Sequence, residues 1–322
     1  MTKISIIIPI YKAEKHIERC VRSLMEQTIK EGIEFIFVND CTPDNSMQIL
    51  NQILSKYPHR KEQTVILNNE KNLGPSDSRK RAINIAKGMY IGCCDSDDWI
   101  EKDMYESMYN ATKNGLIDIV VSDYWCEKKT EQYIHRFYPS NNPQDALAKM
   151  NDNHYFSYAM WNQIIKQNII KEQIQYIIPT KLREDTFLMM RVYFFSNTIN
   201  FISKPFYHYW IDNTSSLCHN ADRSMEAWIE QVQNINNITK LLYSSSYMKY
   251  HQGVNIFKFK LKKEYIKTFP NLKVYYYTFR DSHHDYVKDA NKTYNSFIKY
   301  LKMKIIWDSC YIIFWIYNKY KQ

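Results

Sequence analysis

Ile4-Ser5-Ile6-Ile7-Ile8-Pro9-Ile10 is a nearly continuous β-branched run. A strand of that composition is buried on both faces, which occurs in parallel sheets covered by helices. Parallel neighbours need long crossover connections, and the chain supplies them. After Tyr11, residues 13–27 place Ile17, Val21, Leu24 and Thr28 at helical spacing with charges between. A second apolar run from Ile33 to Val38 ends at Asn39-Asp40, where the turn-forming residues 41–46 open a helix over 46–55. Thr64 to Leu67 reads as a third strand, the loop 68–75 pivots on Gly74, and a helix over 76–87 is expected to be capped by Gly88. The fourth strand, 88–94, runs into Asp95-Ser96-Asp97-Asp98-Trp99. This alternation predicts an α/β fold with a mostly parallel, Rossmann-like sheet and right-handed crossovers. Ligands in such sheets sit beyond the carboxyl ends of the strands, here Tyr11, Asp40, Asn68 and the acidic stretch.

The acidic stretch has the chemistry of a metal site. Hard cations such as Mg²⁺ and Mn²⁺ take oxygen ligands, and a metal shared with a diphosphate needs only one or two carboxylates from the protein. In an extended chain Asp95 and Asp97 face one side and Ser96 the other. A solvated acidic turn is the alternative, since Asp and Ser are ordinary turn formers.

Beyond Trp99 the pattern loosens. A helix over 102–114 and a strand over 117–123 are expected, residues 124–153 have no firm reading, and Ser140 to Pro143 signals a loop. A further element begins at Trp161, an apolar helix at Thr186, and 199–211 reads as an aromatic strand pair around Pro205. From Asp222 the chain is expected to be helical, polar and basic. Residues 251–322 hold 14 Lys/Arg against 5 Asp/Glu, which is the whole of the chain's excess of +9. Such asymmetry points to an anionic partner. The segment 299–322, with Trp307, Trp315 and flanking lysines, has the make-up of an interfacial element at an anionic inner membrane surface, or of a helix docked on the core. No nucleic-acid module is recognisable, and no window of about 20 uncharged apolar residues predicts a spanning helix. Seven cysteines without a CxxC pair argue against a disulfide framework, and the N-terminus has no signal-peptide pattern. A cytoplasmic location, peripheral at the inner face of the cell membrane, is the resulting expectation.

Ser5-Ile6-Ile7-Ile8-Pro9-Ile10-Tyr11, then Phe37 to Asp44, then Asn72-Leu73-Gly74-Pro75-Ser76 with Arg79, then Cys94 to Trp99, resemble the successive motifs of family 2 inverting glycosyltransferases with the GT-A fold. Trp161-Asn162 resembles the family's acceptor-side element, Arg183-Glu184-Asp185-Thr186 its glutamate-aspartate motif, and Tyr207-His208-Tyr209-Trp210 with Asn213-Thr214-Ser215 its closing segment. Departures are Lys12 and Lys80 where Asn is usual, Cys41 where Gly is usual, and Trp210 where Arg is common. The resemblance implies a GT-A catalytic domain over 1–215, with a nucleotide-binding half to about 125 and an acceptor half over 126–215, followed by a helical, basic extension over 216–322.

It further implies a metal-dependent enzyme, using Mn²⁺ or Mg²⁺, that moves a sugar from a UDP-sugar to a hydroxyl of a growing or lipid-linked glycan. Pro9, Tyr11, Asp40, Gly74, Arg79 and Asp95 would bind the nucleotide, with Asp40 on the uracil N3–H and Tyr11 on the base. Asp97 would ligate the metal, with His208 as a further candidate ligand. Asp185 would be the base that inversion requires. Trp161, Glu184 and Asp98 would contact the acceptor or orient the rest. Each has a plain alternative: Asp40 as a helix N-cap, Glu184 and Asp185 as acids at a helix start, Arg79 as an ion-pair partner, His208 as a satisfied histidine in an aromatic strand. A nucleotidyltransferase is disfavoured by the lack of a Gly-rich loop after the first strand. A non-catalytic nucleotide-sugar-binding module would be expected to lose Asp97 or Asp185.

Overall fold

The computed structural model describes residues 1–140, 142–180, 183–213 and 225–244, together with residues 250, 254, 257 and 258. The strand β1 (Ile4–Ile10) lies between two parallel neighbours, β2 (Ile33–Asn39) and β4 (Tyr90–Cys93), and β3 (Thr64–Asn68) continues the parallel set beyond β2. The crossovers are α1 (Ile17–Met25), α2 (Ser46–Leu54) and α3 (Pro75–Ile85). On one face, Ile4, Ile6, Ile8 and Ile10 of β1 pack with Phe35 and Phe37 of β2 and with Ile17, Val21 and Leu24 of α1 and Leu50 of α2. Each fully buried Ile contributes about 2 kcal/mol. Strand order reverses after β3, so right-handed crossing puts α3, with Ala82 and Ile83 buried, on the other face.

Past β4 the sheet is mixed. The strand β8 (Gln163–Lys166) runs antiparallel to β4 and to β6 (Ile119–Glu127), β9 (Ile199–Trp210) runs parallel to β6, and β5 (Trp99–Ile100) pairs antiparallel with β9. A hairpin strand, β7 (Gln132–His135), pairs with β6. The segment 199–211, expected as a strand pair, is one long strand. Its ladder with β6 jumps from Ser122↔Ile202 to Asp123↔Pro205, so the proline that suggested a break is absorbed in a bulge.

Further α-helices among the described residues are α4 (Met104–Asn110), α5 (Pro143–Ala148), α6 (Gln167–Gln173), α7 (Glu184–Phe195) and α8 (Met225–Ser244). The loop signal at Ser140 to Pro143 is the start of α5, where Asn142 accepts the Asp145 N–H at 2.8 Å and Pro143 fills the first turn. Two compact units divide the chain, Met1–Asn234 and Ile235–Gln322. In the second, α8 continues to Ser244, with Ile235, Ile238 and Leu242 buried. The segment 299–322 lies outside the described residues, as do Thr214 and Ser215. Among the described residues no helix is long and apolar enough to cross a membrane.

Two details of β1 and β4 shape the site. Gly88 does not cap α3, which ends at Ile85 with Ala86 as its cap. Gly88 is instead pressed on β1, where a Cβ would lie 2.3 Å from the Ser5 nitrogen, and its N–H donates to Ser5 Oγ at 2.8 Å. Pro9 lies on the β4 side of β1, two residues beyond Ile7, whose carbonyl takes the Cys94 N–H at 3.0 Å. Lacking an N–H, it cannot extend that ladder. The pairing stops at Ile7↔Cys93, and β4 is released to turn at Asp95.

Candidate functional site

Tyr11 and Asp40 lie side by side because Ile10 pairs with Asn39 and the Asp40 N–H donates to the Ile10 carbonyl at 3.0 Å. Tyr11 is 41% exposed, with Lys12 Nζ 5.3 Å from its ring centroid. Asp40 is not an N-cap for α2. Its buried carboxylate accepts from Asn69 Nδ2 at 2.7 Å, the Leu73 N–H at 2.8 Å and the Gly74 N–H at 2.9 Å, folding the loop after β3 over the strand ends. Gly74 caps α3 at φ +83, a backbone that glycine adopts without strain. Lys12 and Cys41, the two departures beside Tyr11 and Asp40, both sit in the left-handed region, at φ 52 and 55.

Of the two readings open for the acidic stretch, extended chain or turn, the structure has the turn, with the Asp98 N–H donating to the Asp95 carbonyl at 3.1 Å. Its carboxylates therefore point to separate partners. Asp98 is buried and accepts from Tyr207 Oη and the Trp210 N–H, both at 2.7 Å. Tyr207 Oη also accepts the Asp95 N–H at 3.0 Å, so β9 clamps both ends of the turn. Asp97 accepts from Asn213 Nδ2 at 2.6 Å, and Asp95 from Arg79 at 2.8 Å. Burial first, and then the neighbouring Asp95, raise Asp97 above the usual carboxylate range. Burial with Asp97 and Asp95 raises Asp98 well above it. Trp161 stands behind the turn, stacked on Tyr207 at 4.4 Å and 8% exposed, so it orients the clamp.

Arg79 joins the two halves of the site. From α3 it reaches Asp95 at 2.8 Å with one terminal nitrogen and Glu184, the first residue of α7, at 2.5 Å with the other. Burial alone would lower its pKa; Asp95 and Glu184 reverse that and hold it raised. Asp185 is thereby fixed next to this bridge. It accepts the Thr186 N–H at 2.9 Å, and burial, then the Glu184 carboxylate, push it up to about 7. A base poised near neutrality is suited to removing a proton from a hydroxyl.

His208 is not brought to Asp97 as a ligand. Its Nδ1 meets Glu127 at 2.6 Å and its Nε2 meets Glu101 at 3.1 Å, and its ring stacks on Trp99 at 4.8 Å. Both nitrogens are taken, so the metal-ligand expectation is corrected in favour of a satisfied histidine in an aromatic strand. Sequence reasoning gave no roles to Tyr207, Asn213 or Asn69. Tyr207 and Asn213 lie inside the quoted closing segment, but only the pairing of β9 reveals what they hold.

Residues 5–180, more than half of the chain, match the model of glycosyl transferase family 2. The chain belongs to this family. Glycosyltransferase GlyA of Streptococcus pneumoniae is 30% identical over 220 residues, covering 65% of this chain and 30% of that protein. Putative glycosyltransferase EpsH of Bacillus subtilis is 28% identical over 220 residues, covering 66% of this chain and 62% of that protein. A poly(ribitol-phosphate) beta-glucosyltransferase of Bacillus spizizenii is 43% identical over 121 residues, or 37% of this chain and 18% of that protein. The chain thus spans less than two thirds of the length of each of these relatives. Crystal structures of S. aureus TarS superpose with a TM-score of 0.60 for the complex with UDP (21% identity, 80% of this chain, 70% of that one). For the complex with UDP-GlcNAc the TM-score is 0.63 (17% identity, 89% of this chain, 79% of that one). The family 2 chain therefore has the GT-A fold that its motifs implied.

Proposed function

We propose that the chain is an inverting, metal-dependent glycosyltransferase that moves a sugar from a UDP-sugar to a hydroxyl of a growing surface glycan of lipopolysaccharide, capsule or exopolysaccharide type. The observation that carries this reading is the Arg79 bridge, which puts Asp185, a carboxyl pushed up to about 7, beside Asp95 at the mouth of the sheet. The relatives add support, since one is named a beta-glucosyltransferase and TarS was crystallised with UDP and UDP-GlcNAc.

The base and ribose would lie across Tyr11 and Asp40, under the loop that Asp40 holds. Asp97 and Asp95 fit a hard divalent cation. They are oxygen donors, and a positive charge would offset both the burial and the Asp95 repulsion that raise Asp97. Among the described residues no three His, Cys, Asp or Glu side chains group to hold a metal, so diphosphate oxygens would complete the shell. When bound, Mn²⁺ or Mg²⁺ supplies Lewis-acid stabilisation of the departing UDP. Asp185 takes the proton of the acceptor hydroxyl as its oxygen attacks the anomeric carbon opposite that leaving group. Asp98, Tyr207 and Trp161 keep the turn in place and touch no reacting atom.

A screen of UDP-sugars for Mn²⁺-dependent UDP release tests the proposal, with Asp97→Ala and Asp185→Ala as controls. Loss of turnover in both is expected. Undiminished turnover in both would sink it.

A further inference from the structure

The backbone around Asp185 is held by a helix that the family match, which ends at residue 180, does not include. Asn234 of α8 makes both amide hydrogen bonds to one residue, accepting the Ile178 N–H at 3.0 Å and donating to the Ile178 carbonyl at 2.9 Å. One turn earlier on the same face of α8, Gln231 Oε1 accepts from Arg183 at 2.9 Å. Its own Nε2 is tied back to the Ala227 carbonyl at 3.2 Å, which fixes which end of the amide faces Arg183. Both side chains are buried, at 0% and 1% exposure.

Arg183 has φ +61, a left-handed conformation in which a non-glycine residue persists only where its surroundings impose it. It is the N-cap of α7 and makes no side-chain capping bond there. Its backbone sets the direction in which Glu184 and Asp185 leave it. The two amides therefore bracket the approach to Asp185, one at Ile178 and one at Arg183.

We propose that Gln231 and Asn234 are positioning residues for the base, so that the beginning of α8 is part of the catalytic apparatus although it touches no reacting atom. The inference rests on the reading of Asp185 as that base.

The test uses the full chain, UDP-glucose and UDP-GlcNAc as probes, and UDP release as readout. Gln231→Met and Asn234→Ala are expected to lower kcat by roughly 10- to 100-fold with the donor KM within about twofold, as for a catalytic group displaced by about 1 Å. They should also move the acid limb of the pH–kcat profile downward, because an α7 start released from α8 admits water to Asp185 and removes the burial that raises it. Gln231→Glu keeps an acceptor for Arg183 but loses the donor to the Ala227 carbonyl, and should restore rate and limb in part. Amide exchange in the first turn of α7 gives a second readout that needs no turnover, and it should quicken in Gln231→Met.

Native kcat, limb and exchange in Gln231→Met and Asn234→Ala would overturn the inference. So would a loss of rate that tracks a lower Tm with the limb unmoved. Asp185→Asn separates the two readings. Full turnover there removes the base itself, whereas loss there beside native α8 variants removes only the positioning.

Discussion

Asp95, Asp97 and Asp98 close a strand, whereas Glu184 and Asp185 open a helix, and Arg79 touches one carboxylate of each group. At the strand end, every carboxylate has a donor from elsewhere: Arg79 for Asp95, Asn213 for Asp97, Tyr207 and Trp210 for Asp98. At the helix start, Glu184 takes the guanidinium, and Asp185 has the weaker support of its neighbour's N–H. The difference shows how adjacent acids acquire different work. The carboxylate that holds the ion pair is fixed, and the one beside it bears the burial and the repulsion, which is what raises its pKa.

The sharpest way to break this contrast is Asp185→Asn. With Asp185 as the proposed base, the variant should lower kcat by roughly 10²- to 10⁴-fold. The native enzyme should lose activity as pH falls through about 7, the value to which Asp185 is pushed, because the proton-accepting form disappears there. Stability has the opposite sign. The folded carboxyl binds its proton more tightly than the unfolded one, so its contribution is present at low pH and is lost as pH rises through about 7. Thermal melts at pH 8 should therefore find Asp185→Asn more stable than the native chain, and a less stable variant would contradict the raised value.

Arg79→Met tests the bridge from its other end. It leaves Asp95 and Glu184 without their shared cation in a largely buried place, and removing one partner of a buried pair costs about 3 kcal/mol or more. Denaturant midpoints should fall accordingly, and the acid limb should rise as Asp185 loses a nearby positive charge. An unchanged midpoint would mean that solvent already satisfies both carboxylates.

Both acidic groups, at the strand end and at the start of α7, are legible in the sequence, whereas the contacts that set their geometry are not. β1 to β4 declare themselves because each is a short β-branched or apolar run between turn residues, and their ends fall where Tyr11, Asp40 and Asp95 are read. The turn geometry is not legible, since Asp-Ser-Asp is compatible with both a strand and a turn and only the Tyr207 clamp decides. Arg79 allowed two equal readings until Glu184, far along the chain, was placed beside it. His208 misled for the same reason: Glu101 and Glu127 come from other strand regions, and no spacing relates them to it. Gln231 and Asn234 belong to no motif, and nothing in one sequence marks them.

Tyr207→Phe sharpens the account of the clamp. The variant removes the donor to Asp98 and the acceptor for the Asp95 N–H in a buried place, at about 1–3 kcal/mol. It should weaken Mn²⁺-induced stabilisation in a thermal shift while leaving the acid limb in place. A shifted limb would show that the clamp also acts on Asp185, through the Arg79 bridge.

The smallest effect expected concerns the backbone. Lys12, Cys41 and Arg183 are all left-handed, the first two just after Tyr11 and Asp40 and the third just before Glu184. Cys41 is exposed and free of any disulfide, so Cys41→Gly should relieve strain at the cost of some chain entropy, a net gain of about 0.5 kcal/mol. Arg183→Gly relieves the same strain but discards the bond to Gln231 and should not stabilise. Denaturant melts of the pair compare them directly. If both gained equally, the Arg183 side chain would contribute nothing to holding the helix start. If neither gained, the left-handed turn after Asp40 would be unstrained as it stands, held by the Thr42 N–H on Asn39 Oδ1 at 3.0 Å and the Lys12 N–H on Thr42 Oγ1 at 2.8 Å.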